Sequence, residues 1–393
     1  MIKNFLTFII TLSLLLLSAC GKDQEPEIVP AKRTILIYML ATNSLGSSGY
    51  DTKDIEEIEA AVRNNDLNDC RILLYHTAYN SEPSLYEYIH TTTNAEKKLV
   101  KTYPASPKST TVERYKEVFS DIKRFAPANN YALVLWSHGA GWAYELESPV
   151  PGANMAPFFD NEPLPDHRYF GEDRANYTQI DQLAEAIPDN FFSFIYFDAC
   201  YMGCIEVAYQ LRNKAEYMIG STTLLPADGM NYTLNIPEFI KDTPDLKGAC
   251  LNTYTHYNSQ SGSNRTLTIA LYDLSKIERL ANVCRNIYSA NSSDYGHSGI
   301  QKYVIPSQNN CIFFDFMQYF DRQADNDATL KAQLEAATND FVVVKYCTPY
   351  IFNRLAIDSE NFSGTSSYIL GAGNTTNENY YKTLDWYKTV YIK

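Results

Sequence analysis

The residues best equipped for chemistry in this 393-residue chain are His138 and Cys200, 62 positions apart. A thiol is a strong nucleophile only as its thiolate, so it needs a base or an imidazolium beside it. Histidine supplies either near neutral pH. His138 lies in Trp136-Ser137-His138-Gly139-Ala140-Gly141-Trp142, and Cys200 in Phe197-Asp198-Ala199-Cys200-Tyr201-Met202-Gly203-Cys204. Gly139 and Gly141 let the backbone approach a substrate carbonyl. An N–H beside His138, paired with the N–H of Cys200, would form an oxyanion hole. Taken singly, a buried cysteine is ordinarily inert packing and a strand-end histidine a satisfied structural residue. Their joint placement, each in a turn of small residues after an apolar run, makes them candidates for sulfur attack on a carbonyl carbon.

The elements that must position the pair are legible as two continuous apolar runs, 131–135 and 192–196. Such runs read as buried parallel strands, and ligands bind at the carboxyl ends of strands in open α/β sheets. Around them, strands are expected at 33–40, 71–77 and 217–221, and helices at 51–64, 110–125, 179–187 and 205–213. This alternation is the signature of βαβ units. Stretches 85–90 and 97–103 read as an inserted hairpin. Residues 143–177 break the rhythm with Pro149, Pro151, Gly152, Pro157, Pro163 and Pro165, and a loop of that length is usually functional or disordered. Beyond residue 234 helices are expected at 246–259, 275–290, 314–324 and 328–342, with strands near 267–272, 350–353 and 368–370. The expected organisation is a catalytic α/β domain over 33–233 and a mixed, mainly helical subdomain over 234–393.

At the amino terminus, Lys3 precedes an apolar run from Phe5 to Leu17 that ends in Leu17-Ser18-Ala19-Cys20-Gly21. The run is short for a bilayer span and closes on small residues, so 1–19 read as a lipoprotein signal peptide and Cys20 as the acylated residue. More than one acyl chain on Cys20 would anchor the protein stably to a membrane. Residues 20–32 read as an extended tether. Loss of Lys3 with the signal takes the formal charge from −13 to −14, which leaves no electrostatic footprint for nucleic acid. Cys70, Cys204, Cys250, Cys284, Cys311 and Cys347 are enough for three disulfides, with no connectivity fixed by spacing; Cys70 and Cys204 sit in core-like segments. No histidine has the spacing of a zinc site.

These segments resemble the clostripain family of cysteine peptidases, in the clan that also holds caspases, legumain and gingipains. The resemblance runs through Tyr38-Met39-Leu40-Ala41-Thr42-Asn43-Ser44-Leu45, Asp54-Ile55-Glu56-Glu57-Ile58, the His138 and Cys200 motifs, Glu206-Val207-Ala208-Tyr209, and Tyr217-Met218-Ile219-Gly220-Ser221 through Pro226-Ala227-Asp228-Gly229. It covers roughly 33–320, and departs in an uncommonly non-acidic turn after the first strand and in Tyr201-Met202-Gly203-Cys204. It implies a caspase-like parallel-sheet α/β sandwich, His138 as general base and leaving-group acid, Cys200 as nucleophile, and the N–H groups of Gly139 and Cys200 as oxyanion donors. It further implies Asp198 as selector of a basic P1 side chain, Asp228 as a second carboxylate of that pocket, and self-cleavage in 143–177, where Arg168 and Arg174 are the only Arg or Lys residues. No cofactor is expected, although some relatives depend on calcium, for which Asp160, Glu162, Asp166, Glu172 and Asp173 are hard-oxygen donors. The expected protein is a monomeric peptidase acting on peptides or proteins, lipid-anchored to the bacterial cell envelope, at the outer membrane, periplasmic or surface-exposed. Two rivals are a non-catalytic peptide- or glycan-binding lipoprotein of the same fold, and an esterase; the second lacks a Gly-x-Ser-x-Gly elbow.

Overall fold

In a computed structural model of the chain, residues 29–92, 94–143, 170–291, 296–304 and 312–392 are described. Residues 31–393 cluster as one compact unit; of the preceding unit, 1–30, only Val29 and Pro30 are described, so the signal peptide and Cys20 lie outside the described residues. The strands are β1 (Ala31–Leu40), β2 (Cys70–Thr77), β3 (Ser84–His90), β4 (Ala95–Thr102), β5 (Ala128–Trp136), β6 (Phe170–Asp173), β7 (Asn176–Thr178), β8 (Phe192–Asp198), β9 (Ala215–Gly220), β10 (Thr268–Asp273), the two-residue β11 (Phe314–Asp315) and β12 (Val342–Cys347). Nine of them form one sheet in the order β12-β10-β9-β8-β5-β1-β2-β3-β4. Strands β9, β8, β5, β1 and β2 are parallel, and the antiparallel β3–β4 hairpin and β10–β12 pair extend the two edges.

The central strands are apolar on both faces because helices cover both. Along β1, Leu36, Tyr38 and Leu40 enter one core, while Ile35, Ile37 and Met39 enter the other. Strand β5 repeats the alternation with Leu133 and Leu135 against Val134 and Trp136. This period of two is what a pleated strand imposes, and with both faces buried it fixes the register. The first core takes the helices Val112–Phe125, Ile180–Ala186 and Ile277–Ala290; the second takes Tyr50–Asn64, Tyr232–Phe239 and Leu246–Asn258. Helix starts follow local chemistry: Thr111 accepts from the N–H of Arg114, and Asn231 from that of Leu234.

The boundary expected at 233/234 does not divide the sheet. Strands β10 and β12 come from the later stretch and continue it, the second of them from residues not expected to form a strand. The later stretch also buttresses the turn after Cys200. The Gly203 carbonyl accepts from the N–H of Ser366 at 3.1 Å and from the Thr365 hydroxyl at 3.1 Å. Glu206, fully buried, accepts from the Tyr368 N–H at 2.8 Å. The helix Tyr232–Phe239, which carries Pro237, and the terminal helices Thr375–Tyr381 and Asp385–Val390 were not among the expected elements. Cys70, Cys204, Cys250, Cys284 and Cys347 are free thiols, so no disulfide links them; Cys311 lies outside the described residues. Among the described residues no helix is long and apolar enough to cross a membrane.

Candidate active site

Strands β5 and β8 are neighbours, and Trp136 pairs with Asp198 at their carboxyl ends. Two residues beyond each lie His138 and Cys200, so the register that buries the sheet also brings both to one edge. Both are partly exposed. They line a single cleft with Leu45, Trp136, Asp198, Ala199, Leu225, Pro226 and Gly229. Gly139 is required here by close approach: a Cβ on it would stand 2.6 Å from the Cys200 carbonyl oxygen and 3.2 Å from the Cys200 nitrogen. The histidine turn therefore rests directly on the Cys200 backbone, with the peptide groups of Gly139 and Cys200 side by side.

The thiol and the imidazole are each held by a neighbour. The Leu225 N–H points at the Cys200 sulfur at 3.3 Å, a contact that suits a thiolate. The His138 Nε2 lies 2.8 Å from the Ser44 hydroxyl, in the turn that follows β1. Directly after Cys200, Tyr201 adopts a left-handed backbone (φ 61°), unusual for a residue with a Cβ. Its ring is stacked on Phe313 at 5.0 Å and its N–H donates to the Thr223 carbonyl, which hold that conformation.

Asp198 lies beneath the cleft, 5% exposed. Its carboxylate accepts from the Met230 N–H at 2.9 Å and from the Tyr232 hydroxyl at 3.2 Å. Gly229 makes this possible, since a Cβ there would come within 2.6 Å of an Asp198 oxygen. Burial pushes the Asp198 carboxyl up to about 7, against the two hydrogen bonds, which lower it. The sequence reading did not single out the two acids behind it. Asp54, on the helix Tyr50–Asn64, accepts from the Trp136 indole N–H at 2.6 Å, and burial followed by the charge of Asp198 pushes it up to about 10. Glu57, one turn on, receives the Tyr232 N–H at 2.8 Å and so anchors the loop that carries Asp198's donors. Both lie in the Asp54-Ile55-Glu56-Glu57-Ile58 segment of resemblance, which gave them no role.

Other expected site residues stand elsewhere. Asp228 does not line the cleft; its carboxylate is exposed at the rim, 3.5 Å from Lys53. A surface turn puts the side chain in water, which is the physical reason it does not join Asp198 in the pocket. Arg174 sits with Ala175 in the two-residue turn between β6 and β7, both with left-handed backbone, and its N–H donates to the Thr42 carbonyl. Arg168 lies outside the described residues, as do Asp160, Glu162 and Asp166. Of the expected calcium donors, Asp173 has both oxygens engaged by the Thr42 hydroxyl and the Ser109 N–H, each at 2.8 Å. It clamps β6 to β1 rather than offering itself to a cation, and among the described residues no cluster of three acids, histidines or cysteines is placed to hold a metal.

A thiol and an imidazole thus line one cleft at the carboxyl ends of adjacent parallel strands, with a buried carboxylate beneath. The Clostripain family profile matches residues 37–392, and this chain belongs to that family. It is 24% identical over 405 residues to clostripain of Hathewaya histolytica, covering 88% of this chain and 70% of that protein. Among solved structures, an inactive zymogen C11 protease from Parabacteroides distasonis superposes with a TM-score of 0.77 at 28% identity, over 92% of this chain and 99% of that one. A secreted C11 cysteine protease from Bacteroides thetaiotaomicron, iotapain, gives 0.77 at 28% identity over 92% and 100%. The B. thetaiotaomicron enzyme in complex with an irreversible peptide inhibitor gives 0.75 over the same shares.

Proposed function

We propose that this cysteine peptidase cleaves peptide bonds on the carboxyl side of Arg or Lys through a Cys200–His138 dyad. The observation that carries the reading is the single cleft lined by Cys200, His138 and Asp198. The Cys200 sulfur attacks the scissile carbonyl carbon, and the oxyanion is met by the N–H groups of Gly139 and Cys200. His138 delivers a proton to the departing amine, leaving a thioester. Water then attacks the thioester as His138 takes its proton, and the acid product leaves with the thiol restored. Asp198 supplies the carboxylate that a desolvated guanidinium or ammonium requires. The peptide inhibitor bound by the B. thetaiotaomicron relative supports a peptide as the substrate.

Two further parts of the reading rest on Cys20 and Arg168, which lie outside the described residues. The enzyme is made with a signal peptide over 1–19 and held at the bacterial envelope, as a monomer, by acyl chains on Cys20. It cuts itself within 143–177, with Arg168 preferred over Arg174. A peptidase takes its substrate extended, and the left-handed Arg174–Ala175 turn departs from that shape. The test is hydrolysis of a peptide library with Arg, Lys, neutral or acidic P1 residues by the wild type and Cys200→Ala. Cleavage after basic residues that vanishes in the variant is expected. Cleavage after neutral residues alone would keep the dyad and remove Asp198 as selector, and no cleavage even after the 143–177 loop is nicked would favour a binding protein on this fold.

A further inference from the structure

We propose that Ser44 orients His138 for proton transfer, so that the working unit is a Cys200–His138–Ser44 chain; this rests on the dyad reading above. The Ser44 hydroxyl meets His138 Nε2 at 2.8 Å across 94 positions of sequence. A contact this distant in sequence would be incidental if the turn carrying Ser44 were loose, but several independent restraints place it. Asn43, buried, caps the one-turn helix Ser44–Ser47 by accepting from the N–H groups of Leu45 at 3.0 Å and Gly46 at 3.3 Å. Its amide nitrogen donates to the Leu40 carbonyl at 2.8 Å and to the Ser137 hydroxyl at 3.1 Å, tying the turn to the residue just before His138. Ser137 in turn accepts from the Glu172 N–H at 3.1 Å. Gly46 lets the helix press against the end of β1, where a Cβ would fall 1.9 Å from the Ala41 carbonyl oxygen. The structure thus builds a rigid seat on β1, β5 and β6 and places one hydroxyl on the catalytic ring.

The hydroxyl can donate or accept at this contact, and we assign it the acceptor role. As acceptor it keeps the proton of the neutral ring on Nε2, which puts the lone pair on Nδ1. Nδ1 then takes the S–H proton of Cys200 as the C–S bond forms, and passes it to the amine nitrogen as the C–N bond breaks. In deacylation Nδ1 removes a proton from the attacking water and returns it to the sulfur as the thioester C–S bond breaks. The Nε2–H stays on Ser44 throughout, and Ser44 is a positioning residue because it acts through the His138 ring. The ionisable groups on the elements packed around the ring are Cys200 and Asp198 across the cleft, Asp54 behind Trp136, and Glu172 and Asp173 on β6.

The test compares full-length wild type, Ser44→Ala and Ser44→Thr in detergent. It uses turnover of an Arg-P1 peptide and the rate of Cys200 alkylation by iodoacetamide across about pH 5 to 9. Ser44→Ala is expected to lower kcat roughly 10- to 100-fold with KM nearly unchanged, and to move the acid limb of both pH profiles. Ser44→Thr, which keeps the hydroxyl, is expected to restore most of the loss. Unchanged profiles in Ser44→Ala, or equal losses in both variants at equal melting temperature, would overturn the proposal. Turnover that persists in Cys200→Ala would instead remove the dyad reading, and the alkylation profile reads the Ser44 contact even where no peptide is cut.

Discussion

In the function proposed above, Asp198 is asked to do two opposed things: stay buried, which favours its protonated form, and meet a cationic P1 side chain, which favours the carboxylate. Its carboxyl is pushed up to about 7 by burial, so in the free enzyme it ionises as pH rises through neutrality. The ratio of kcat/KM for an Arg-P1 peptide to that for its citrulline counterpart should therefore climb with pH through about 7, since the dyad's own titration cancels in the ratio. In Asp198→Asn the ratio should be flat and lower by roughly 10- to 150-fold, the worth of one charged hydrogen bond. A steep ratio in that variant would place selectivity elsewhere. Asp54 carries a stability consequence. Its folded value of about 10 lies far above the ordinary 3.8, so between these limits the folded chain holds a proton that the unfolded chain has released. The stability tied to that group is fully present below about pH 4 and is lost progressively as pH rises toward 10. Asp54→Asn still accepts from the Trp136 indole, and should raise the melting temperature at pH 8 with the gain vanishing near pH 4. A gain that is the same at both pH values would show that Asp54 is not buried with its proton.

At the scale of elements, the proposed dyad depends on two turns touching, and Gly139 sets their distance. Gly139→Ala drives a methyl against the Cys200 carbonyl at 2.6 Å. The turns must separate, and misplacement of about an ångström costs on the order of 100-fold in rate. We expect kcat to fall by that order while far-UV circular dichroism is unchanged; retained activity would mean that the two turns move independently. Much of this arrangement was legible in the sequence. Continuous apolar runs announced β5 and β8, and small residues after each announced turns with room for chemistry. Strand β12 escaped because 342–347 directly follows a helical pattern, and its pairing with β10 is a tertiary fact rather than a local one. Asp54 and Glu57 stood in a segment of resemblance but received no role, for a related reason: only the fold shows the indole and the loop they face. Asp228 failed in the opposite direction, since its turn lies at the cleft while its side chain points to Lys53 and water.

For the whole molecule, the decisive fact is that residues 143–169 lie in sequence between two strands already paired in the sheet. Strands β5 and β8 hydrogen-bond along their length, and each contributes fully buried residues to both cores. After the loop, β6 is fastened independently: the Gly171 N–H donates to the His138 carbonyl at 2.9 Å, and Asp173 bridges Thr42 and Ser109. A cut between 143 and Phe170 breaks the chain without breaking the sheet, and leaves the His138 turn pinned from the far side of the cut. Incubated wild type should yield two fragments that co-elute under native conditions and separate only in denaturant, with the new amino terminus following Arg168. Arg168→Ala should stop the cut, whereas Arg174→Ala should leave it intact, because the left-handed turn at Arg174 must first be undone to enter the cleft. A new amino terminus at Ala175 would reverse that assignment and require the β6–β7 hairpin to open during processing. Fragments that part without denaturant would mean that the sheet relies on chain continuity, against the burial of both strands.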